Sequence, residues 1–134
     1  MALLPEVQSQ YGRLPLYIDG KFVESETDEW LAVMNPAKGK KIAEVPFATI
    51  EEVDKAIESA ARAFERWRET PVPTRVQYLF RMKEAMERHK EELARLVVQN
   101  HGKTIDEARG EVRRAIENIE TAMGVAYILQ KGEQ

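Results

Sequence analysis

The alternation of apolar and polar positions predicts an extended first third of the chain and a helical remainder. Leu16–Ile18 and Lys21–Val23 are β-prone runs on either side of Asp19-Gly20. A two-residue Asp-Gly link is a strong hairpin signal because both turn positions need a positive φ angle. Residues 1–15 carry two prolines and are predicted to form an N-terminal arm.

A second pair of extended runs follows a polar stretch. Trp30–Met34 and Lys40–Val45 flank a turn at Asn35–Gly39. In that turn Pro36 fixes φ, and Gly39 tolerates a left-handed conformation. The first third of the chain therefore predicts two β-hairpins.

From Thr49 the apolar period changes from two to 3.6, which is typical of amphipathic helices. Capping boxes of the form T-x-x-E or T-x-x-Q stand at Thr49–Glu52, Thr74–Gln77 and Thr104–Glu107. In such a box the threonine and the acidic or amide side chain satisfy each other's backbone amides. Each box directly precedes an apolar period, so three helices are predicted. The prolines at positions 71 and 73 are predicted to end the first helix.

Gly102 is the expected stop of the second helix. The apolar positions of the first helix share one face, and those of the second and third helices are predicted to point inward. They are Val53, Ile57, Ala60, Phe64 and Trp67 in the first, Val76, Leu79, Phe80, Met86, Leu93, Leu96 and Val97 in the second, and Val112, Ile116, Ile119, Met123 and Tyr127 in the third.

Two hairpins followed by three helices are segregated elements, which indicates an α+β chain. We divide it into the arm, residues 1–15, and a hairpin-and-helix portion, residues 16–134. Hydrophobic residues make up 43% of the 134 positions and charged residues 32%, which is the composition of a globular domain.

Charge and cysteine content exclude several function classes. The net charge is -3 and the basic residues form no stripe, so nucleic-acid binding has no support. No apolar run approaches the roughly 18 residues of a membrane span, and the start lacks the features of a signal peptide, so we expect a cytoplasmic protein. The chain has no cysteine, which excludes disulfides, thiolate metal sites and a cysteine nucleophile.

Neither histidine makes a convincing catalytic group. His89 lies in a charged helical stretch, and His101 stands at a helix end, where a capping role suits an imidazole. His101–Thr104 contains the last dipeptide of a Walker motif, but the glycine five residues earlier is missing, so a helix stop and a new cap explain it better. Two histidines without cysteine do not indicate a metal site.

Arg113 and Arg114 flank the apolar face that Val112 and Ile116 define. A guanidinium at the edge of such a face can present two donors to a carboxylate. On spacing alone, a solvated charged surface is the simpler interpretation. The residues by themselves therefore show no complete active site.

Three segments together resemble the aldehyde dehydrogenase superfamily. Leu16–Val23 is similar to its opening hairpin. Met34–Val45 is similar to its N-P-A-T-G-x-x-I-x-x-V segment, with Lys38 in place of the threonine, and Ala60–Trp67 to its A-x-x-A-F-x-x-W helix. The resemblance covers about residues 14–132. It implies that the chain is the N-terminal part of the NAD-binding domain of an α/β dehydrogenase fold.

Within that superfamily, His101–Thr104 and Glu107–Asn118 resemble the branch of methylmalonate-semialdehyde dehydrogenases, which acylate coenzyme A. In that branch an arginine of the G-E-V-x-R-x-I-E segment binds the substrate carboxylate. The resemblance therefore implies that Arg114 binds substrate, and it assigns no such role to Arg113.

The resemblance also implies a monovalent-cation site. In the family, backbone carbonyls just before N-P and a residue before the G-K dipeptide contribute to it. The corresponding positions in this chain are Val33, Met34 and Asn100.

The chemistry of the family lies in later parts of its polypeptide. A cysteine thiolate attacks the aldehyde, hydride passes to NAD, and the acyl group passes to coenzyme A. The resemblance implies no catalytic or cofactor-binding residue in this chain, which we expect to bind no cofactor alone. Its expected partner is the remainder of the dehydrogenase, or a split-gene partner, within a homo-oligomer. The alternative is a non-catalytic helical module that associates with itself or with another protein.

Overall fold

The structure, a computed structural model, describes residues 6–124. The chain divides into an N-terminal unit, Gln8–Glu69, and a helical unit whose main part begins at Thr70. Within the described range, the N-terminal unit holds five strands and one helix, and the helical unit holds three helices. The predicted α+β class is confirmed, whereas the predicted count of three helices is wrong.

The elements have the following bounds in chain order: β1 Gly12–Arg13, β2 Leu16–Ile18, β3 Lys21–Val23, β4 Trp30–Asn35, β5 Lys40–Pro46, α1 Ile50–Trp67, α2 Val72–Arg88, α3 Lys90–His101 and α4 Ile105–Gly124.

The first predicted hairpin is confirmed. Strands β2 and β3 pair antiparallel, with Tyr17 opposite Phe22. Asp19 and Gly20 have φ angles of 54° and 75°, the positive values that a two-residue turn of this kind requires. The rings of Tyr17 and Phe22 lie 5.0 Å apart between centroids, and such cross-strand aromatic pairs stabilise a hairpin.

The second predicted hairpin, β4 with β5, is also confirmed, and it belongs to a three-stranded sheet in the order β1-β5-β4. The short parallel strand β1 lies inside the stretch predicted as an arm. Two backbone hydrogen bonds extend its pairing, from the Tyr11 amide to the Ile42 carbonyl at 2.7 Å and from the Leu14 amide to the Glu44 carbonyl at 2.9 Å. The division of the chain at residue 15 stays a prediction.

A buried carboxylate anchors the start of α1. The predicted capping box is present: the Thr49 hydroxyl accepts from the Glu52 amide, and the Glu52 carboxylate accepts from the Thr49 amide. The same carboxylate accepts from the Ser25 hydroxyl and the Glu26 amide, both at 2.8 Å. Glu52 therefore fixes the loop between β3 and β4 to the first turn of α1.

The apolar face of α1 is exposed. Val53, Ile57 and Phe64 keep 46%, 61% and 56% of their surface open to solvent. The helical period places these side chains on one face, as predicted, but no element in the described part of the chain buries that face.

Helix α2 begins earlier than its predicted capping box. Its first residue is Val72, and Pro73 lies in the first turn, where a missing amide hydrogen costs no helical hydrogen bond. The prediction that Thr74 caps this helix is wrong because Thr74 is inside it. Its amide donates to the Pro71 carbonyl at 3.0 Å.

The predicted long second helix is two helices. It breaks at His89, whose φ of -105° and ψ of 12° are not helical. Arg88 ends α2, and Glu91 and Glu92 lie in the first turn of α3. Cations at a carboxyl end and anions at an amino end are favoured by the helix dipole, so the local charges suit a break at this position.

The core of the helical unit is built from small and medium side chains. Ala94, Ala108, Val112 and Ile116 are buried together. The partly buried side chains packed against them are Met86, Leu93, Val97, Val98 and Ile105.

The prediction that Phe80 lies in the core of this unit is wrong. Phe80 is 45% exposed because consecutive helical side chains point about 100° apart, and its neighbour Leu79 takes the more buried direction. Tyr127, which was predicted to extend the face of the last helix, lies outside the described residues.

Replacing Ile116 with alanine should lower the free energy of unfolding by about 2–5 kcal/mol, since it removes a buried side chain and leaves a cavity. Ile116 is 6% exposed. Urea denaturation followed by circular dichroism at 222 nm measures the change. Met82→Ala is the matched control, because Met82 is 52% exposed in the same unit and its truncation should cost less than about 0.5 kcal/mol. Equal losses in the two variants would contradict this assignment of the core.

The Glu52 anchor should make the N-terminal unit sensitive to acid. The backbone amides of Glu26 and Thr49 hold the pKa of the Glu52 carboxyl below its ordinary value of 4.5. A lowered native pKa stabilises the fold fully above the ordinary value, and the contribution is lost as the pH falls through the native one. The amide shift of Glu26 in a pH titration should therefore report a midpoint below 4.5.

Glu52→Gln should remove this acid-dependent loss of stability, because an amide carries no charge to titrate. Glu51→Gln, at the exposed neighbouring position, is the matched control and should keep the loss. A Glu26 titration midpoint at or above the ordinary carboxyl value would refute the anchor.

Candidate functional site

The junction between α3 and α4 positions the candidate site. Helix α3 ends at Gly102, which adopts the left-handed conformation with a φ of 81° and whose amide donates to the Val98 carbonyl at 2.9 Å. Glycine reaches this conformation without steric cost, so the predicted stop is confirmed. The chain then turns through Lys103 into α4.

The predicted capping box of α4 is present. The amide and the hydroxyl of Thr104 both donate to the Glu107 carboxylate, at 3.0 Å and 2.8 Å. The Glu107 amide donates to the Thr104 hydroxyl at 3.4 Å. The Thr104 hydroxyl, followed by its backbone amide, holds the pKa of the Glu107 carboxyl below its ordinary value. These contacts fix the first turn of α4 relative to Lys103.

Lys103 forms an ion pair with Glu111, two turns along α4. The Lys103 side chain is 16% exposed, so its aliphatic part is packed while the ammonium reaches the carboxylate. The Lys103 hydrogen bond, with smaller contributions from the charges of Lys103, His101 and Arg114, holds the pKa of the Glu111 carboxyl below its ordinary value. Glu111 is therefore charged at neutral pH.

The three arginines of α4 differ in how fully they are paired. Arg109 donates to Glu91 at 2.7 Å and 3.0 Å and to Asp106 at 3.1 Å, and the Glu91 hydrogen bond raises the pKa of its guanidinium. Arg113 donates to Glu117 at 2.8 Å. Both groups have carboxylate partners at hydrogen-bonding distance.

Arg114 is paired more loosely. Its guanidinium lies 4.0 Å from the Glu111 carboxylate, beyond hydrogen-bonding distance, and its side chain is 67% exposed. It runs back along α4 over Gly110, where an added Cβ would lie 3.5 Å from its Nη1 atom. Of the three arginines, Arg114 is the one whose carboxylate partner lies beyond hydrogen-bonding distance. Its role as a substrate ligand stays a prediction.

A groove of about 550 Å³ lies on another side of α4, with Val112, Ile116 and Arg113 among its lining residues. Its arginines, Arg109 and Arg113, are both paired with carboxylates. Arg114 does not line it. This groove and the Arg114 guanidinium therefore do not coincide, and we place the candidate site at the guanidinium.

The three residues predicted for the cation site lie in different units. Val33 and Met34 are in β4, and Asn100 is exposed near the end of α3. Strand β4 is at the edge of its sheet, and its pairing with β5 shifts register between Val33 and Met34. An edge strand presents carbonyl groups that no neighbouring strand uses, which suits cation binding through backbone oxygens. The site itself stays a prediction.

Within residues 6–124, no three histidine, aspartate or glutamate side chains are grouped to hold a metal ion. His89 and His101 are at the two ends of α3, and the Nδ1 atom of His89 lies 3.1 Å from the Glu92 carboxylate. Over the same residues, no helix is long and apolar enough to cross a membrane.

The family resemblance points to Arg114, but neither it nor the residue spacing connects Arg114 with Lys103 and Glu111. Lys103 belongs to the G-K dipeptide of the family resemblance, and that motif does not connect it with Glu111. Its partner is eight residues away, outside the three- and four-residue spacings by which helical ion pairs are recognised. The pair becomes visible only when Gly102 is known to turn the chain back onto α4.

Comparison with known proteins agrees with the motifs. The profile of the aldehyde dehydrogenase family matches residues 22–134. This chain belongs to the aldehyde dehydrogenase family.

Its relatives include a malonate-semialdehyde dehydrogenase from Listeria monocytogenes serotype 4a, 46% identical over 117 residues, a match that covers 87% of this chain and 24% of the relative. A solved methylmalonate-semialdehyde dehydrogenase from Oceanimonas doudoroffii superposes with a TM-score of 0.80 at 37% identity, over 86% of this chain and 23% of that one. A solved structure from Sinorhizobium meliloti 1021 is assigned to the same activity and is complexed with NAD. It superposes with a TM-score of 0.81 at 31% identity, and the match covers 88% of this chain and 24% of that one. The chain thus spans about a quarter of the length of the proteins it matches.

Proposed function

We propose that this chain is the hairpin-and-helix portion of an NAD-dependent, coenzyme A-acylating dehydrogenase for malonate or methylmalonate semialdehyde. Within that enzyme it supplies Arg114 to bind the substrate carboxylate. The observation that carries the proposal is the loose pairing of Arg114, whose guanidinium is exposed and 4.0 Å from the Glu111 carboxylate.

A carboxylate is the feature that separates these semialdehydes from neutral aldehydes of the same size. Guanidinium groups bind carboxylates through two parallel hydrogen bonds, which fix orientation as well as charge. The neighbouring Arg113 already donates a hydrogen bond from its Nε atom to Glu117 at 2.8 Å. Arg114 is therefore the α4 arginine best suited to select a substrate that carries an acid group.

The redox chemistry is proposed to come from outside this chain. NAD, which the Sinorhizobium meliloti relative contains, accepts a hydride, and coenzyme A accepts the acyl group. The chain has no cysteine, so it has no thiolate to attack the aldehyde, and its sequence has no glycine-rich phosphate-binding motif. We infer that the chain alone is inactive and that its contribution is substrate recognition.

The exposed face of α1 supports the proposal that a larger protein completes this fold. Val53, Ile57 and Phe64 expose an apolar strip along one face of the helix, and such a surface is normally covered in a stable protein. We propose that the remainder of the dehydrogenase, as one polypeptide or as a split-gene partner, covers it within a homo-oligomer.

A chimera tests the proposed function. The segment of the Listeria monocytogenes malonate-semialdehyde dehydrogenase that this chain matches is replaced by this chain, and NADH formation is followed with malonate semialdehyde, NAD and coenzyme A. The chimera should turn over, and the purified 134-residue chain should produce no NADH. In the chimera, Arg114→Leu should lower kcat/KM for malonate semialdehyde about 10- to 100-fold, the worth of hydrogen bonds to a charged group.

The matched control is Arg113→Leu, which removes the same side chain one position away and should have little effect. Propanal, which lacks the carboxylate, is the control substrate, and its kcat/KM should be the same with and without Arg114. Equal losses for the two aldehydes would mean that Arg114 does not recognise the carboxylate. Repeatable activity of the chain alone would also refute the proposal.

A second function is favoured by the same apolar face: a non-catalytic module in which a second copy of the chain covers α1. Sedimentation velocity at several concentrations tests it. If the module exists, the average mass rises with concentration, and Ile57→Asn abolishes the rise. Asp54→Asn, on the same helix but outside the apolar strip, is the matched control. A monomer at every concentration would rule this function out.

A further inference from the structure

Glu111 lies between two cations and is bonded to one of them. Its carboxylate pairs directly with the Lys103 ammonium, and it stands 4.0 Å from the Arg114 guanidinium. Glu111 and Arg114 are three residues apart on α4, a spacing at which helical side chains readily form ion pairs. The carboxylate is therefore close enough to bond Arg114, but its hydrogen bond goes to Lys103.

We infer that Lys103 is a positioning residue, which holds the Glu111 carboxylate and so keeps the Arg114 guanidinium open to an external carboxylate. The identity of that external group rests on the proposed function. The pairing among Lys103, Glu111 and Arg114 does not.

The packing of Lys103 explains why it prevails over Arg114. The Lys103 side chain is 16% exposed and follows a glycine turn that the capped start of α4 holds in place. The Arg114 side chain is 67% exposed. A side chain that is already immobilised by packing loses less conformational entropy when it forms an ion pair, so Glu111 is bound more favourably by Lys103.

The local charges also support the inference that Lys103 keeps Arg114 open. The charges of Lys103 and Glu111 cancel, so that Arg114 presents its whole positive charge to a ligand. Without the ammonium, Glu111 and Arg114 would form a neutral pair, and an incoming carboxylate would have to displace Glu111. Lys103 therefore acts on ligand binding through Glu111, without touching the ligand.

Chemical modification of the intact 134-residue chain tests this inference. Phenylglyoxal reacts with guanidinium groups that carboxylates do not cover, and tandem mass spectrometry measures its rate at each arginine. Arg113, paired with Glu117 at 2.8 Å, is an internal reference in the same peptide. In the unchanged chain Arg114 should react faster than Arg113.

Two variants separate the effect of the Lys103 charge from that of the Glu111 carboxylate. Lys103→Met keeps the packed aliphatic stem and removes the charge. It should slow the reaction of Arg114 about twofold to fivefold, the range that the strength of an exposed ion pair allows, and leave Arg113 unchanged. Lys103→Met combined with Glu111→Gln should restore the original rate, because the competing carboxylate is gone.

A purely structural role for Lys103 would give a different pattern, with both arginines reacting faster in Lys103→Met. That result, an unchanged rate at Arg114, or a double variant that stays slow would overturn the inference.

Ligand protection tests the proposed function separately. Sodium propanoate, with propanamide as its neutral counterpart, should protect Arg114 in the unchanged chain and protect it less in Lys103→Met. Failure of propanoate to protect Arg114, with the rates of the variants as expected, would refute carboxylate binding and leave the pairing established.

Discussion

Ala94 and Ala108 have no exposed surface, and their small side chains let α3 and α4 pack closely. A larger side chain at either position would push the helices apart, because close-packed protein interiors have no space for extra atoms. The close packing brings the residues after Gly102 back onto the flank of α4. The pairing of Lys103 with Glu111, and through it the openness of Arg114, depends on this contact.

Local signals were sufficient for much of the fold. Asp19-Gly20 and the boxes at Thr49 and Thr104 each act over two to four residues, so their structures follow from the local sequence alone. The features that were missed leave no such local signal. Strand β1 has two residues and exists through its pairing with β5, about thirty positions later. The break at His89 has no glycine or proline to mark it, and only the charges on either side are consistent with two helix ends.

Periodicity identified which side chains share a face but not what covers that face. The strips on α4 and α1 have the same kind of pattern, yet Val112 and Ile116 are buried whereas Ile57 and Phe64 are exposed. A helical period reports the orientation of side chains about one axis. Burial also needs a second element in the right place, and for α1 the described chain does not provide one.

The candidate site shows the same separation between local pattern and tertiary context. Resemblance singled out Arg114, and the structure adds a reason that no motif contains: adjacent arginines on one helix differ in whether a carboxylate already occupies them. Glu117 accepts a hydrogen bond from Arg113 at a spacing of four residues. Glu111 could bond Arg114 at a spacing of three residues, but its hydrogen bond goes to Lys103 in the turn before α4. The selectivity proposed for Arg114 therefore depends on the ion-pair network around it and not on the arginine alone.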